Sequence, residues 1–181
     1  MNLIELLRRE DWDSAIGRIS HFPNETREST TQELKCGTVT SCLPIHIACM
    51  NHPTPHMIKS LIDAAGIYTL NVEDGVGRLP LHNALVYGAG YQVVRILIAA
   101  FPNSVYVKAA DGSLPIHLAC LYGRTACDSL CVDELFQQNN DSVKITDGHG
   151  NSVETLLQDN PSLGFQDEVS YMLNCFKRSN R

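Results

Sequence analysis

The chain has 181 residues, 44% of them hydrophobic and 19% charged, with 12 Gly and 8 Pro. That composition excludes a collagen, a coiled coil and a wholly disordered chain, and the length fits about one domain. Its 14 Lys+Arg against 20 Asp+Glu give a net charge of −6, which argues against a nucleic-acid partner, because duplex binding needs a clustered basic face.

At the start of the chain, Ile4 and Leu7, then Trp12, Ile16 and Ile19, have helical spacing. The pattern predicts a degenerate helix pair over residues 2–22, within a capping unit that runs to residue 33. The first ten residues carry an early acid and too short an apolar stretch for a secretory leader. No membrane span is expected either: the best apolar run, residues 93–101, is broken by Arg95, and a span needs about 20 apolar residues. The seven cysteines are odd in number and include no Cys-x-x-Cys pair, which suggests reduced thiols. An intracellular, cytoplasmic protein is expected, with the nucleus left open.

From residue 34 onward the sequence repeats. Leu43-Pro44-Ile45-His46 recurs as Leu79-Pro80-Leu81-His82 and as Leu114-Pro115-Ile116-His117, with His-to-His spacings of 36 and 35 residues. Ala48, Ala84 and Ala119 each follow the His by two. Five before the His stand Gly77 and Gly112, with Ser41 in that place in the first copy. Twelve and ten before it stand Leu34 and Cys36, Leu70 and Val72, Val105 and Val107, an alternation expected of a short extended arm. Downstream, Met57/Ile58/Leu61/Ile62, Val93/Val94/Leu97/Ile98 and Cys131/Val132/Leu135/Phe136 mark a second helix in each copy. The extra residues of the third copy fall between Gly123 and Asp128, in the turn between helices. A degraded fourth copy follows Asp147-Gly148-His149-Gly150, with Thr155 in the His place. Beyond it, Phe165, Val169, Met172 and Phe176 form one apolar helical face, so residues 158–181 are expected to cap the stack.

This unit resembles the ankyrin repeat, and the resemblance covers residues 34–157, with clear repeats at about 38–73, 74–108 and 109–146 and a degraded fourth from 147. Leu stands where the family has the helix-capping Thr, a form that resembles expanded ankyrin families of unicellular algae. Ala109 replaces the family's loop Asp, so the third turn is expected to be less tightly held. The resemblance implies an all-α solenoid of antiparallel helix pairs with short hairpin-like arms. Pro44, Pro80 and Pro115 suit the first helical turn, where no N–H is wasted. His46, His82 and His117 are placed to bond neighbouring loop backbone and tie repeats together.

Catalytic and metal chemistry find little support. The motif histidines are separated by whole repeats. His52 and His56 are four apart, but Pro53 and Pro55 break the segment that a metal-binding helix would need. Cys36, Cys49, Cys120 and Cys131 take small or apolar repeat positions, while Cys42, Cys127 and Cys175 have no such explanation. No Ser/His/Asp set, carboxylate pair or phosphate loop stands out. No cofactor is expected.

What remains is recognition of another protein by a monomeric, non-enzymatic adaptor. By position, the family's concave binding surface would here comprise Met50, Asn51, Val76, Arg78, Val86, Tyr87, Asp111, Ser113, Leu121, Tyr122 and His149. Tyr87 and Tyr122, each five after the motif His, are either interface anchors or rings packed on the next repeat with only the hydroxyl in water. The alternative function is a substrate-recruiting fragment of a larger regulatory or catalytic assembly.

Overall fold

A computed structural model describes residues 1–34, 37–123 and 126–159, without the side chains of 126–129. Among these residues lie nine α-helices: α1 (Leu3–Arg8), α2 (Trp12–His21), α3 (Pro44–Met50), α4 (Pro55–Ala65), α5 (Pro80–Tyr87), α6 (Tyr91–Ala100), α7 (Pro115–Tyr122), α8 (Ala126–Gln138) and α9 (Val153–Asp159). Strands β1 (Thr30–Glu33) and β2 (Val39–Cys42) form one antiparallel pair, with Thr30 opposite Cys42 and Glu33 opposite Val39. The helices pack in two parallel files. Helices α1, α3, α5, α7 and α9 stack in sequence, as do α2, α4, α6 and α8, and α1, α3, α5 and α7 each also pack on the longer helix that follows. One continuous hydrophobic core runs between the files, from Leu3 to Leu157. The fold is therefore an all-α repeat solenoid with a small hairpin.

The Leu-Pro-φ-His sequence explains how each short helix starts. Pro44, Pro80 and Pro115 occupy the first helical position, and the preceding Leu is extended and makes no side-chain capping bond. Instead the Leu is used for burial: Leu79 and Leu114 are 1% and 2% exposed. A lost hydroxyl cap costs about 1 kcal/mol, whereas burying a Leu contributes about 1.5–3 kcal/mol, so burial wins. The unsatisfied Leu N–H is taken by the histidine three residues on. Leu43, Leu79 and Leu114 donate to Nδ1 of His46, His82 and His117 at 3.0–3.1 Å. The other ring nitrogen, Nε2–H, donates to a carbonyl one repeat further along: Val72, Val107 and Ile145, at 2.9–3.0 Å. A ring that accepts at Nδ1 and donates at Nε2 is the neutral Nε2–H tautomer. In the fourth copy Thr155 replaces the His, and a hydroxyl cap returns: Ser152 Oγ accepts the Thr155 N–H at 3.2 Å.

The connections differ from the expected extended arms. Leu70, Val105 and Val143 lie in 3-10 turns at Ile67–Asn71, Pro102–Tyr106 and Asn140–Lys144. Val72, two beyond the buried Leu70, is half exposed, so the pair does not share a face. A buried hydroxyl closes each turn: Thr69, Ser104 and Ser142 donate to the carbonyl three residues back at 2.5–2.7 Å. Thr26 does the same in the turn Pro23–Arg27 that follows α2.

Counting back from His46 also misplaces the first turn. The bonds Asp74 N–H to Arg78 O and Gly77 N–H to Asp74 O recur as Leu34 N–H to Thr38 O and Gly37 N–H to Leu34 O. Gly37, with φ +81°, thus matches Gly77 at +73°, and the first arm is four residues longer than the others. The additional residues form β2. Ser41 keeps a different part of the role, accepting the Gly75 N–H at 2.8 Å as Gly77 accepts that of Ala110 at 3.2 Å.

Nor is the third turn loosened by Ala109. Ala109 N–H still bonds the Ser113 carbonyl at 2.9 Å, and Asp111 Oδ1 accepts the Ser113 N–H at 2.9 Å. In the second and fourth turns Asp74 and Asp147 hold the loop from its first position, each accepting two backbone N–H bonds and one from an Asn side chain.

Two outcomes follow. Burial holds the His46, His82 and His117 rings below the ordinary imidazole value, that of His82 at about 4 against 6.5. The unfolded chain therefore takes up protons first as pH falls below 6.5, and stability is full above that value and lost between about 6.5 and 4. Urea titration at pH 7 and pH 5 should show a loss of ~1–2 kcal/mol from His82 alone. In the second outcome, Leu79→Thr and Leu114→Thr restore the family's capping hydroxyl yet destabilise by about 1–2 kcal/mol, measured as a shift in thermal midpoint.

Candidate partner-binding surface

The site expected from the sequence lies where the short helices end and the turns project. Val86 and Tyr87 close α5, and Leu121 and Tyr122 close α7, in neighbouring positions of one file. Val86, Tyr87 and Tyr122 are half buried and pack against the hydrophobic core, while Leu121 is 40% exposed. Both tyrosines therefore serve the stack with part of the ring and leave the rest at the surface. Arg78 and Val76 are half buried on the second turn, and Asp111 and His149 are exposed on the third and fourth.

Two expected members do not belong to this surface. Met50 is 7% exposed, its flexible thioether folded into the core. Ser113 is 4% exposed because the third turn closes over it through both of its backbone groups. Asn51 is half buried, and its side-chain amide donates to the Ile47 carbonyl at 2.8 Å, ending α3.

Among the described residues the cysteines and histidines show no reactive arrangement. Cys42, Cys49 and Cys120 are buried free thiols, and Cys131 is also buried. Burial pushes the Cys42 and Cys120 thiols up to about 12, so they stay protonated and unreactive. Cys36, Cys175 and the Cys127 side chain lie outside the described residues, as do Phe165, Val169, Met172 and Phe176 of the expected C-terminal cap. Among the described residues no three His, Cys, Asp or Glu side chains are grouped to hold a metal.

Other features were not expected from the sequence. Asn83 is fully buried where the neighbouring repeats have Ile47 and Leu118, and it donates to Asp74 Oδ2 at 2.9 Å. It thereby anchors the second turn to α5. Its signal was a polar residue directly after His82 in an otherwise apolar column. Tyr91 and Tyr106 reach the next repeat through their hydroxyls, to Glu134 and to the Gln138 carbonyl. Exposed Phe22, Ile67, Tyr68 and Tyr106 lie at or just beyond the ends of the longer helices. Arg18 lies over Phe22 and Arg27 over Tyr68, with guanidinium carbons 3.9 and 5.7 Å from the ring centres.

The paired helix files, repeating turns and histidine bridges define a helical repeat protein. A family model for ankyrin repeats, in three copies, matches residues 45–147, and the chain belongs to that family. No curated protein matches the chain at a significant level. Ankyrin repeats are generally protein–protein interaction modules. No helix among the described residues is long and apolar enough to cross a membrane.

The turn after α3 gives a further test. His52 adopts φ +48° where the next repeat has Gly88 at +73°. Its ring makes only an exposed 3.3 Å bond, from Nδ1 to the Gly88 carbonyl. Left-handed backbone is unfavourable for a residue with a Cβ. His52→Gly should raise stability by about 0.5–1 kcal/mol in chemical denaturation.

Proposed function

We propose that the chain is a non-enzymatic adaptor that acts as a monomer inside the cell and binds a partner protein on the concave face of its repeat stack. The observation that carries this reading is the row Val86, Tyr87, Leu121 and Tyr122, brought to the ends of two adjacent helices with part of its surface left exposed. Rings fixed by packing lose little freedom on binding, which makes tyrosine an effective anchor. Arg78, Asp111 and His149 supply a polar rim on the neighbouring turns. Burial of Met50 and Ser113 narrows the surface toward the second and third repeats.

Capture from source-cell lysate with intact protein and a Tyr87→Ala/Tyr122→Ala variant tests the reading, after circular dichroism shows both baits to be folded. The expected result is a protein retained by the intact bait and weakened more than tenfold by the variant, since an anchor contributes about 2 kcal/mol or more. Equal retention places the interface elsewhere, and no specific partner with either bait counts against an adaptor.

A further inference from the structure

The sequence contains three Asp-Gly pairs, Asp74-Gly75, Asp111-Gly112 and Asp147-Gly148, all in the repeat turns. Asp-Gly is the dipeptide most open to isomerisation, because a following glycine offers no side chain to hinder attack by its backbone nitrogen on the aspartate carboxyl. The glycine N–H does not distinguish the three pairs: Gly75 bonds Ser41 O, Gly112 bonds Ala109 O and Gly148 bonds Asp111 O. The carboxylates differ sharply. Asp74 and Asp147 are buried and each accepts three hydrogen bonds, from Val76 N–H, Arg78 N–H and Asn83 in one case and from His149 N–H, Asn151 N–H and the Asn151 amide in the other. Asp111 is exposed, and its carboxylate accepts the Ser113 N–H. The cause is visible in the sequence: Ala109 has taken the loop-closing position, and the aspartate of this turn stands two residues later, at the tip.

We propose that Asp111 is the chain's site of spontaneous isoaspartate formation, and that the aged protein is a substrate for a carboxyl methyltransferase that recognises isoaspartate. Gly112 N forms a bond to the Asp111 Cγ, its proton and the hydroxyl of the protonated carboxyl leave together as water, and a five-membered succinimide results. One water then adds, opening the ring either at Cγ, which restores aspartate, or at the former backbone carbonyl, which leaves the main chain running through Cγ. The second product has one more carbon in the backbone, and the former Asp111 carbonyl becomes a free carboxylate. That carbonyl is the acceptor of the Gly148 N–H at 3.1 Å, the bond joining the third turn to the fourth. Modification therefore alters the junction between these two repeats without changing net charge.

The test ages the intact chain under warm, neutral conditions, native and in concentrated urea. Isoaspartate at each of the three positions is then measured by peptide mapping and by methyl transfer from labelled S-adenosylmethionine. In native protein, position 111 should exceed positions 74 and 147 by roughly tenfold or more, the factor expected when two fewer hydrogen bonds must be broken. In urea the three pairs should react alike, and Asp111→Ser should remove the native signal. Absence of isoaspartate at 111 in the native sample, or equal amounts at all three positions, overturns the proposal.

Discussion

A neutral imidazole joins each described repeat to the next. His46, His82 and His117 are at most 1% exposed, and each satisfies a helix-start N–H with one nitrogen and a carbonyl of the following repeat with the other. Loss of the ring therefore removes the partners of two backbone groups at once, one that starts a helix and one in the next repeat. Charging the ring is also unfavourable, because a protonated Nδ1 would face a donor instead of serving as an acceptor. Local helix initiation and long-range stacking thus depend on the same atoms. Leu is tolerated at the cap because the His46 and His117 N–H groups, which a capping hydroxyl would accept, bond the Leu43 and Leu114 carbonyls at 3.0 Å, leaving the Leu side chain free to fill the core.

The fold was legible because several levels of the sequence agree on it. Proline marks the helix start, alanine permits close packing, and the apolar pattern of the second helix recurs in phase. The lengthening of the third copy, expected in the turn between helices, instead extends the start of α8, which has 13 residues against 10 in α6 and keeps Cys131, Val132 and Leu135 buried. The first arm was less legible, since counting back from His46 assumes that every arm has the same length. Gly37 and Leu34 show the true turn only through their hydrogen bonds. A further signal was present: Thr69, Ser104 and Ser142 each stand thirteen residues before His82, His117 and Thr155. Their hydroxyls close the 3-10 turns, which is why those segments coil where alternating apolar residues suggested extension.

The candidate surface was legible only as a set of positions. A position after the motif His identifies the end of a helix, but exposure there depends on side-chain length and on how the adjacent turn folds. Met50 and Leu121 illustrate the difference, one folded into the core and the other 40% exposed at the same place in the repeat. Ser113 was hidden by turn closure, which periodicity does not encode. Asn83 shows the converse, a polar residue directed inward because Asp74 lies within 2.9 Å to receive its amide proton.

The unequal repeats also carry a consequence for assembly. An array of identical units can pair out of register, or exchange units between molecules, at little energetic cost. Here the first unit has a lengthened arm ending in β2, the second has a buried Asn–Asp lock, and the third has a longer second helix. Arg8 adds a marker specific to the beginning, binding Gln32 and the Thr31 carbonyl of β1. A unit shifted by one place would lose its matching turn, bury an unpaired amide or leave the arginine without its strand. Sequence divergence among the repeats therefore acts as an address system, specifying the order in which otherwise interchangeable units dock.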